Sequence, residues 1–474
     1  RAHALAGDVE ASAVWFRRAI DLAATLPTED SARIRISWLT TTFDHRGPQA
    51  AFGLARELLA ESTGTDAEVI SAMLLREEMF TQSAAAAHAG LRDLASRVTS
   101  DVAQLMVELD LAACAWQLMR PHEAVDVANR LLTRRSAIPD IEALRVAQIR
   151  ASSMAWATGI DQALDEVDAL IETTRHAAPD HLAILLLTRI AVLSRGARMT
   201  EASEVFDELE EFDRIAGEAV YRFWVPGELA FVESAISAAD VEPTCFEQRR
   251  AELDPVSVIK SGALLQLAAA RVKAVHGQPF VEDLRDAGSA ARSAGSVIHE
   301  VLCLRELATL GGGDATSVDR LSEIADLAGD GLARIMALES RSLLEDDAEG
   351  MEQVAGAALA FGATGVSRDA WEAAHHMWLD RDCPGRAFAA ALQAAELDEL
   401  LGFRRLSTRD AVEILSVRER EVADQLALGR TNSRIADELY ISPRTVDRHV
   451  GAIFTKLRMH HREDVAALYP QPTH

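Results

Sequence analysis

The stretch NSRIADELYISPRTVDRHV, Asn432 to Val450, decides how the chain is read. Ser442 stands where a side-chain oxygen can cap a helix. Pro443 follows at the first helical position, where a missing N–H costs nothing. From there, at 100° per residue, Val446, Val450, Ile453 and Leu457 fall within about sixty degrees of one another and predict a buried face. Arg444, Arg448, Gly451 and Thr455 fall on the opposite side. Two guanidiniums thus project near a helix N-terminus, whose free N–H groups already favour phosphate.

The neighbouring residues predict the helices around it. Ser416 and Glu419 have capping-box spacing, and Val422, Ala423 and Leu426 give the helix they start an apolar face. Gly429 ends that helix. A second begins at Thr431-Asn432 and buries Ile435, Ala436 and Leu439. A tight Tyr440-Ile441 turn leads to Ser442. Two helices joined by a short turn, the second with a basic outer face, have the geometry that enters a major groove. Arg448 can meet guanine O6 and N7 together. The competing reading is a helical cap whose terminal helices bind protein and whose arginines are merely solvated.

Charge confines any contact with DNA to this end. The chain of 474 residues carries a formal charge of -26, yet Ser416–Tyr469 holds 9 Lys+Arg against 8 Asp+Glu. From Pro443 to Arg462 five basic residues face one acidic residue. The remainder is strongly acidic and would repel nucleic acid.

That remainder is rich in alanine and leucine, with little of the alternation that marks strands, so the fold class expected is all-α. Helical stretches alternate with turn residues near Gly7, Gly47, Pro121, Gly159, Gly196, Asp240, Gly277, Gly311 and Gly350. The spacing is mostly 35 to 42 residues, with one gap of about double length. Segments such as RPHEAVDVANRLL, GIDQALDEVDALI and RMTEASEVFDELE follow the turns. Helix pairs of this kind cannot bury their faces singly, and they predict a solenoid with a concave surface. The segments resemble degenerate tetratricopeptide repeats.

Motifs that would make the chain an enzyme are missing. Gly-Lys occurs nowhere, which excludes a P-loop, and Gly311–Gly313 has no lysine to reach a phosphate. His122-Glu123 and His299-Glu300 lack the second histidine of a zinc helix. His375-His376 and His460-His461 diverge on a helix. No G-x-S-x-G elbow is present. Catalytic residues, a metal site and a cofactor are therefore not expected. Cys114, Cys245, Cys303 and Cys383 are scattered, as in a reducing compartment. LAILLLTRIAVL is broken by Arg189 and suits a buried helix better than a membrane span. The expectation is a soluble cytoplasmic protein, and the C-terminal part of a longer one.

The stretch from Leu415 to Ala467 resembles the LuxR-type helix-turn-helix domain. The S-x-R-E-x-E-V opening, the Gly-x-[ST]-Asn link, I-A-x-x-L, [IV]-S-x-x-T-V-x-x-H and the closing Lys456-Leu457 carry the likeness. It implies that the helix with Thr445 to Gly451 reads DNA and that a fourth helix, from Arg462, helps dimerisation. Two departures stand out. Asp447 occupies a usual lysine position, so it either accepts from cytosine N4 or turns toward a neighbouring arginine. Arg458 replaces a usual glycine, so it adopts a left-handed cap or the helix runs on. Repeats followed by such a terminus are similar to large MalT-like regulators, which carry an N-terminal ATPase part; none is visible here.

The division expected is residues 1–400 as repeats, 401–414 as linker and 415–474 as the DNA-binding domain. The DNA-binding set is Asn432, Arg434, Ser442, Arg444, Thr445, Val446, Asp447, Arg448, Gly451, Thr455 and Lys456. The partners expected are double-stranded DNA, a second copy on DNA, an effector protein or small molecule at the repeats, and RNA polymerase.

Overall fold

The computed structural model describes residues 9–23, 28–81, 83–134, 140–177, 182–216, 221–253, 255–401 and 416–457. Among them every regular element is a helix, 24 in number. The chain divides into two compact units, Arg1–Leu397 and Asp398–His474. No described helix is long and apolar enough to cross a membrane.

Among the described residues the helix Val9–Ala23 precedes ten helical hairpins, from Thr28–Arg46 with Pro48–Ala60 to Thr364–Asp380 with Pro384–Leu400, whose last residues cross the unit boundary. The two members of a hairpin differ in sequence because they differ in burial. Asp101–Gln117 is a first member. It buries Val102, Ala103, Leu105, Met106, Val107, Leu109 and Asp110, positions that cover all sides of a helix. Its second member, Pro121–Thr133, buries Pro121, Ala124, Val127, Ala128 and Leu131, a single face. First members pack side by side and second members cover them.

Six of the ten hairpins turn in one form. A residue in the left-handed region ends the first helix, and the next N–H reaches back to a carbonyl five residues earlier. Gly277 and Gly311 hold that place (φ 67° and 77°), but so do Met119, Ala197, Asp346 and Asp382 (φ 52° to 55°). The bonds run, for example, from Arg120 N to Ala115 O at 2.9 Å and from Asp347 N to Ser342 O at 2.8 Å. Two turn positions differ from the sequence reading. Gly350 lies inside the helix Ala348–Ala360, where a Cβ would collide with the Ser342 hydroxyl and Asp347 carboxylate; the turn is at Asp346. The double-length gap is filled by a hairpin whose second helix is capped by Ser83, accepting from Ala85 N at 3.2 Å. Gly7 lies outside the described residues.

Buried and half-buried ion pairs tie four hairpins to the next one along the chain. Arg76 meets Asp110 at 2.7 Å, Arg195 meets Glu228 at 2.5 Å, Arg271 meets Glu306 at 2.6 Å, and Arg305 meets Glu339 at 2.6 Å. The sequence separations are 34, 33, 35 and 34 residues, one hairpin each. Burial alone would raise the Glu306 pKa, but the guanidiniums of Arg271 and Arg305 hold it below its usual range.

First members five hairpins apart also meet: Thr65–Thr81 with Pro255–Val275, Asp101–Gln117 with Val297–Thr309, and Asp140–Ala157 with Leu332–Leu344. One superhelical turn thus takes five hairpins, and the second turn stacks on the first. Helix-end groups of one turn are satisfied by the other. Lys260 Nζ donates to Met79 O and Gln117 Oε1, both at 3.0 Å. Gly365 N donates to Gly196 O at 3.0 Å, and Ile160 N to Phe361 O at 2.8 Å.

Candidate nucleic-acid interface

From Ser416 on, the described residues of the second unit form three helices: Val417–Ala427, Asn432–Glu438 and Pro443–Leu457. The first opens with the expected capping box. Ser416 Oγ accepts from Glu419 N at 3.3 Å, and the Glu419 carboxylate accepts from Ser416 N at 2.7 Å. Gly429 follows that helix with φ 70°, and the N-cap of the second helix is Thr431.

The turn between the second and third helices repeats the form found in the hairpins. Tyr440 holds the left-handed position (φ 52°), and Ile441 N donates to Ala436 O at 3.0 Å. Ser442 then caps the third helix, its Oγ accepting from Thr445 N at 3.1 Å. The Ser442 and Thr445 hydroxyls lie 2.7 Å apart, so both are engaged in shaping the helix start.

Val422, Ala423, Leu426, Ile435, Ala436, Val446, Val450 and Ile453 form one buried cluster, with Leu439 and Ile441 packed against it. This core fixes which side of the third helix faces outward. Arg444, Asp447, Arg448 and Gly451 are exposed on that side, as is Arg434 on the second helix; Asn432 is half-buried. Val446 is fully buried, which corrects its place in the expected contact set: its side chain seats the helix and offers nothing to a groove. Thr455 and Lys456 belong to the helix, but their side chains, like that of Leu457, fall outside the described residues. So do Arg458 and the expected fourth helix from Arg462.

Two further basic residues, Arg418 and Arg430, are engaged inside the unit. Arg418 donates to Leu439 O at 2.7 Å and pairs with Glu421, fastening the first helix to the turn. Arg430 donates to Gln425 Oε1 at 2.6 Å and pairs with Glu438. Of the two courses expected of Asp447, the turn toward a neighbouring arginine is not the one taken among the described residues. Asp447 Oδ1 accepts from Asn432 Nδ2 at 2.7 Å, tying the second helix's first residue to the third helix. Fifteen residues separate the two, and no helical spacing relates them. Sequence periodicity therefore gave no signal for this contact.

A model of bacterial regulatory proteins of the luxR family matches residues 413–469. Over 68 residues the chain is 38% identical to the probable transcriptional regulatory protein NarL of Mycobacterium tuberculosis strain CDC 1551 / Oshkosh, and equally to that of strain ATCC 25618 / H37Rv. The match covers 14% of this chain and 32% of the relative, so the chain spans about a third of the length of the curated relatives it matches. Among solved structures, a Rap protein complexed with competence and sporulation factor is similar at 12% identity, covering 82% of this chain and 86% of that one. Its TM-score of 0.32 is too low to carry a statement about this chain. The C-terminal segment is thus a luxR-type helix-turn-helix domain, in a chain whose other described residues form helical repeats.

Proposed function

We propose that this chain, whose residues 413–469 match the luxR family, is a sequence-specific DNA-binding transcription regulator that sets Pro443–Leu457 in the major groove. The observation that carries the reading is the outward face of that helix. Val446, Val450 and Ile453 turn inward, leaving Arg444 and Arg448 exposed at the N-terminal half. Guanidiniums there can meet phosphate oxygens and the guanine edge.

Gly451 adds support. It lies exposed in mid-helix, and a Cβ there would meet nothing within 4 Å. A glycine in a helix interior costs about 0.5–1 kcal/mol against alanine, and among the described residues no crowding offsets that. A position without a side chain on the groove-facing side suits close approach by DNA.

In this reading Arg448 contacts a base. Arg444, Arg434 and Lys456 contact phosphate, with Asn432, Asp447, Gly451 and Thr455 beside them, while Ser442 and Thr445 set the helix start. The chain acts without catalysis, in the cytoplasm where the chromosome lies. It binds as a homodimer, because one short helix reaches too few base edges to pick out a site. The repeats, proposed as residues 1–400 and joined through 401–414 to the domain from 415, take the effector or a protein partner, RNA polymerase among the candidates. Selection of bound duplexes from a random pool tests this reading. Enrichment of one motif supports it, and recovery of a random population would refute it.

A further inference from the structure

We propose that Asp447 is a specificity determinant that accepts from the exocyclic amine of one base, cytosine N4 or adenine N6, and that Asn432 is the residue that positions it. The inference rests on the groove reading above.

The geometry is the tie between the two helices. Asn432 Nδ2 holds Asp447 Oδ1 at 2.7 Å, while the Asp447 side chain stays exposed on the same outward side as Arg444 and Arg448. An aspartate on a DNA-facing helix has two easy ways to be silenced. It can fold onto a guanidinium, or it can swing away from phosphate. Here a neutral amide from the preceding helix fixes it instead. The hydrogen bond orients the carboxylate without cancelling its charge, and a carboxylate retains acceptor sites beyond the one Asn432 uses.

Chemistry then limits what the carboxylate can meet. In the major groove only cytosine and adenine present an amine; guanine O6 and N7 and thymine O4 are acceptors, which an aspartate repels. Discrimination follows from both signs of interaction, attraction for the amine and repulsion of the carbonyl. The charge also weakens phosphate-only binding, so it lowers affinity for random duplexes more than for the right one. A lysine at this position would do the reverse.

The test uses the full chain and a duplex selected from a random pool, with each position changed in turn to all four base pairs. Wild-type protein, Asp447→Ala, Asp447→Asn, Asn432→Ala and the double Asn432→Ala/Asp447→Ala variant are titrated by fluorescence anisotropy at one salt concentration. Circular dichroism confirms that each variant folds. Expected for wild type is a preference of roughly 5- to 150-fold for an amine-bearing base at one position, with the four-base series telling cytosine from adenine.

Asp447→Ala should flatten that position alone and tighten binding to a random duplex. Asp447→Asn should admit a different base there. Asn432→Ala should weaken the same preference without moving it to another position, and the double variant should match Asp447→Ala. If Asp447→Ala leaves every base preference of the wild type unchanged, or lowers all equally, the inference is overturned while the DNA-binding reading stands. If the wild-type chain prefers no duplex, both fall.

Discussion

Arg305 grips Glu339 through two nitrogens, Nε at 2.6 Å and Nη2 at 2.9 Å, across 34 residues of chain. Burial opposes the Arg305 charge, but the Glu339 carboxylate more than restores it and raises the pKa above the ordinary value. The same contact recurs at four of the junctions between successive hairpins, each time across one hairpin of sequence. Breaking one such pair strands a buried charge. Glu339→Ala is expected to cost about 3–5 kcal/mol in urea unfolding, whereas Arg305→Met with Glu339→Leu should cost far less or stabilise. Equal losses in the single and double variants would show that the pair does not act as a unit.

The stacking of the two superhelical turns makes a separate demand. Gly331 has φ 148°, and a Cβ there would collide with the Trp156 carbonyl oxygen of the turn beneath. Gly331→Ala should therefore destabilise the repeats by about 1–3 kcal/mol. Gly385→Ala is the control, because a Cβ there meets nothing within 4 Å. Matching melting temperatures for the two variants would contradict the stacked arrangement.

His299 predicts a pH response. It is buried, its Nδ1 lies 3.0 Å from Ser296 Oγ, and burial, with Arg195 and Lys260 nearby, lowers its pKa to about 3. The folded chain keeps the ring neutral where the unfolded chain protonates it, below about pH 6.5. Stability is therefore lost as pH falls from there toward 3, by up to about 1.4 kcal/mol per unit. His299→Gln should remove that slope. Parallel melting-temperature profiles for wild type and variant between pH 7 and 5 would refute the assignment.

How much of this was legible depends on how local the cause is. The caps at Ser416 and Ser442 and the core of Val446, Val450 and Ile453 follow from spacing within one helix, and the structure has them as read. The hairpin period was partly hidden because Met119, Ala197, Asp346 and Asp382 take the left-handed position where a glycine would have marked the turn. These ion pairs span one hairpin period each, but their partners sit among many other charged residues. The Asn432–Asp447 tie and the meeting of helices five hairpins apart rest on the packed fold, and no local pattern announces them.

The two faces of the third helix should separate cleanly in mutants. Ile453→Ala leaves a cavity in the small core and should cost the domain about 2–5 kcal/mol of stability. Arg444→Ala should leave stability unchanged, weaken all duplexes about equally and reduce the salt slope by about one. A base-specific loss from Arg444→Ala would move that residue from the phosphates to the groove floor.

The central claim is that the exposed face of Pro443–Leu457 reads DNA sequence, and Arg448 tests it most directly. The full chain and Arg448→Ala are titrated at the same salt with the selected duplex and a random one. The account predicts that wild type binds the selected duplex about 10³-fold or more tightly than the random one. It also predicts that Arg448→Ala loses about 1–3 kcal/mol on the selected duplex, with relaxed preference at one base pair. Equal wild-type affinity for both duplexes, or an Arg448→Ala loss shared equally between them, would contradict it.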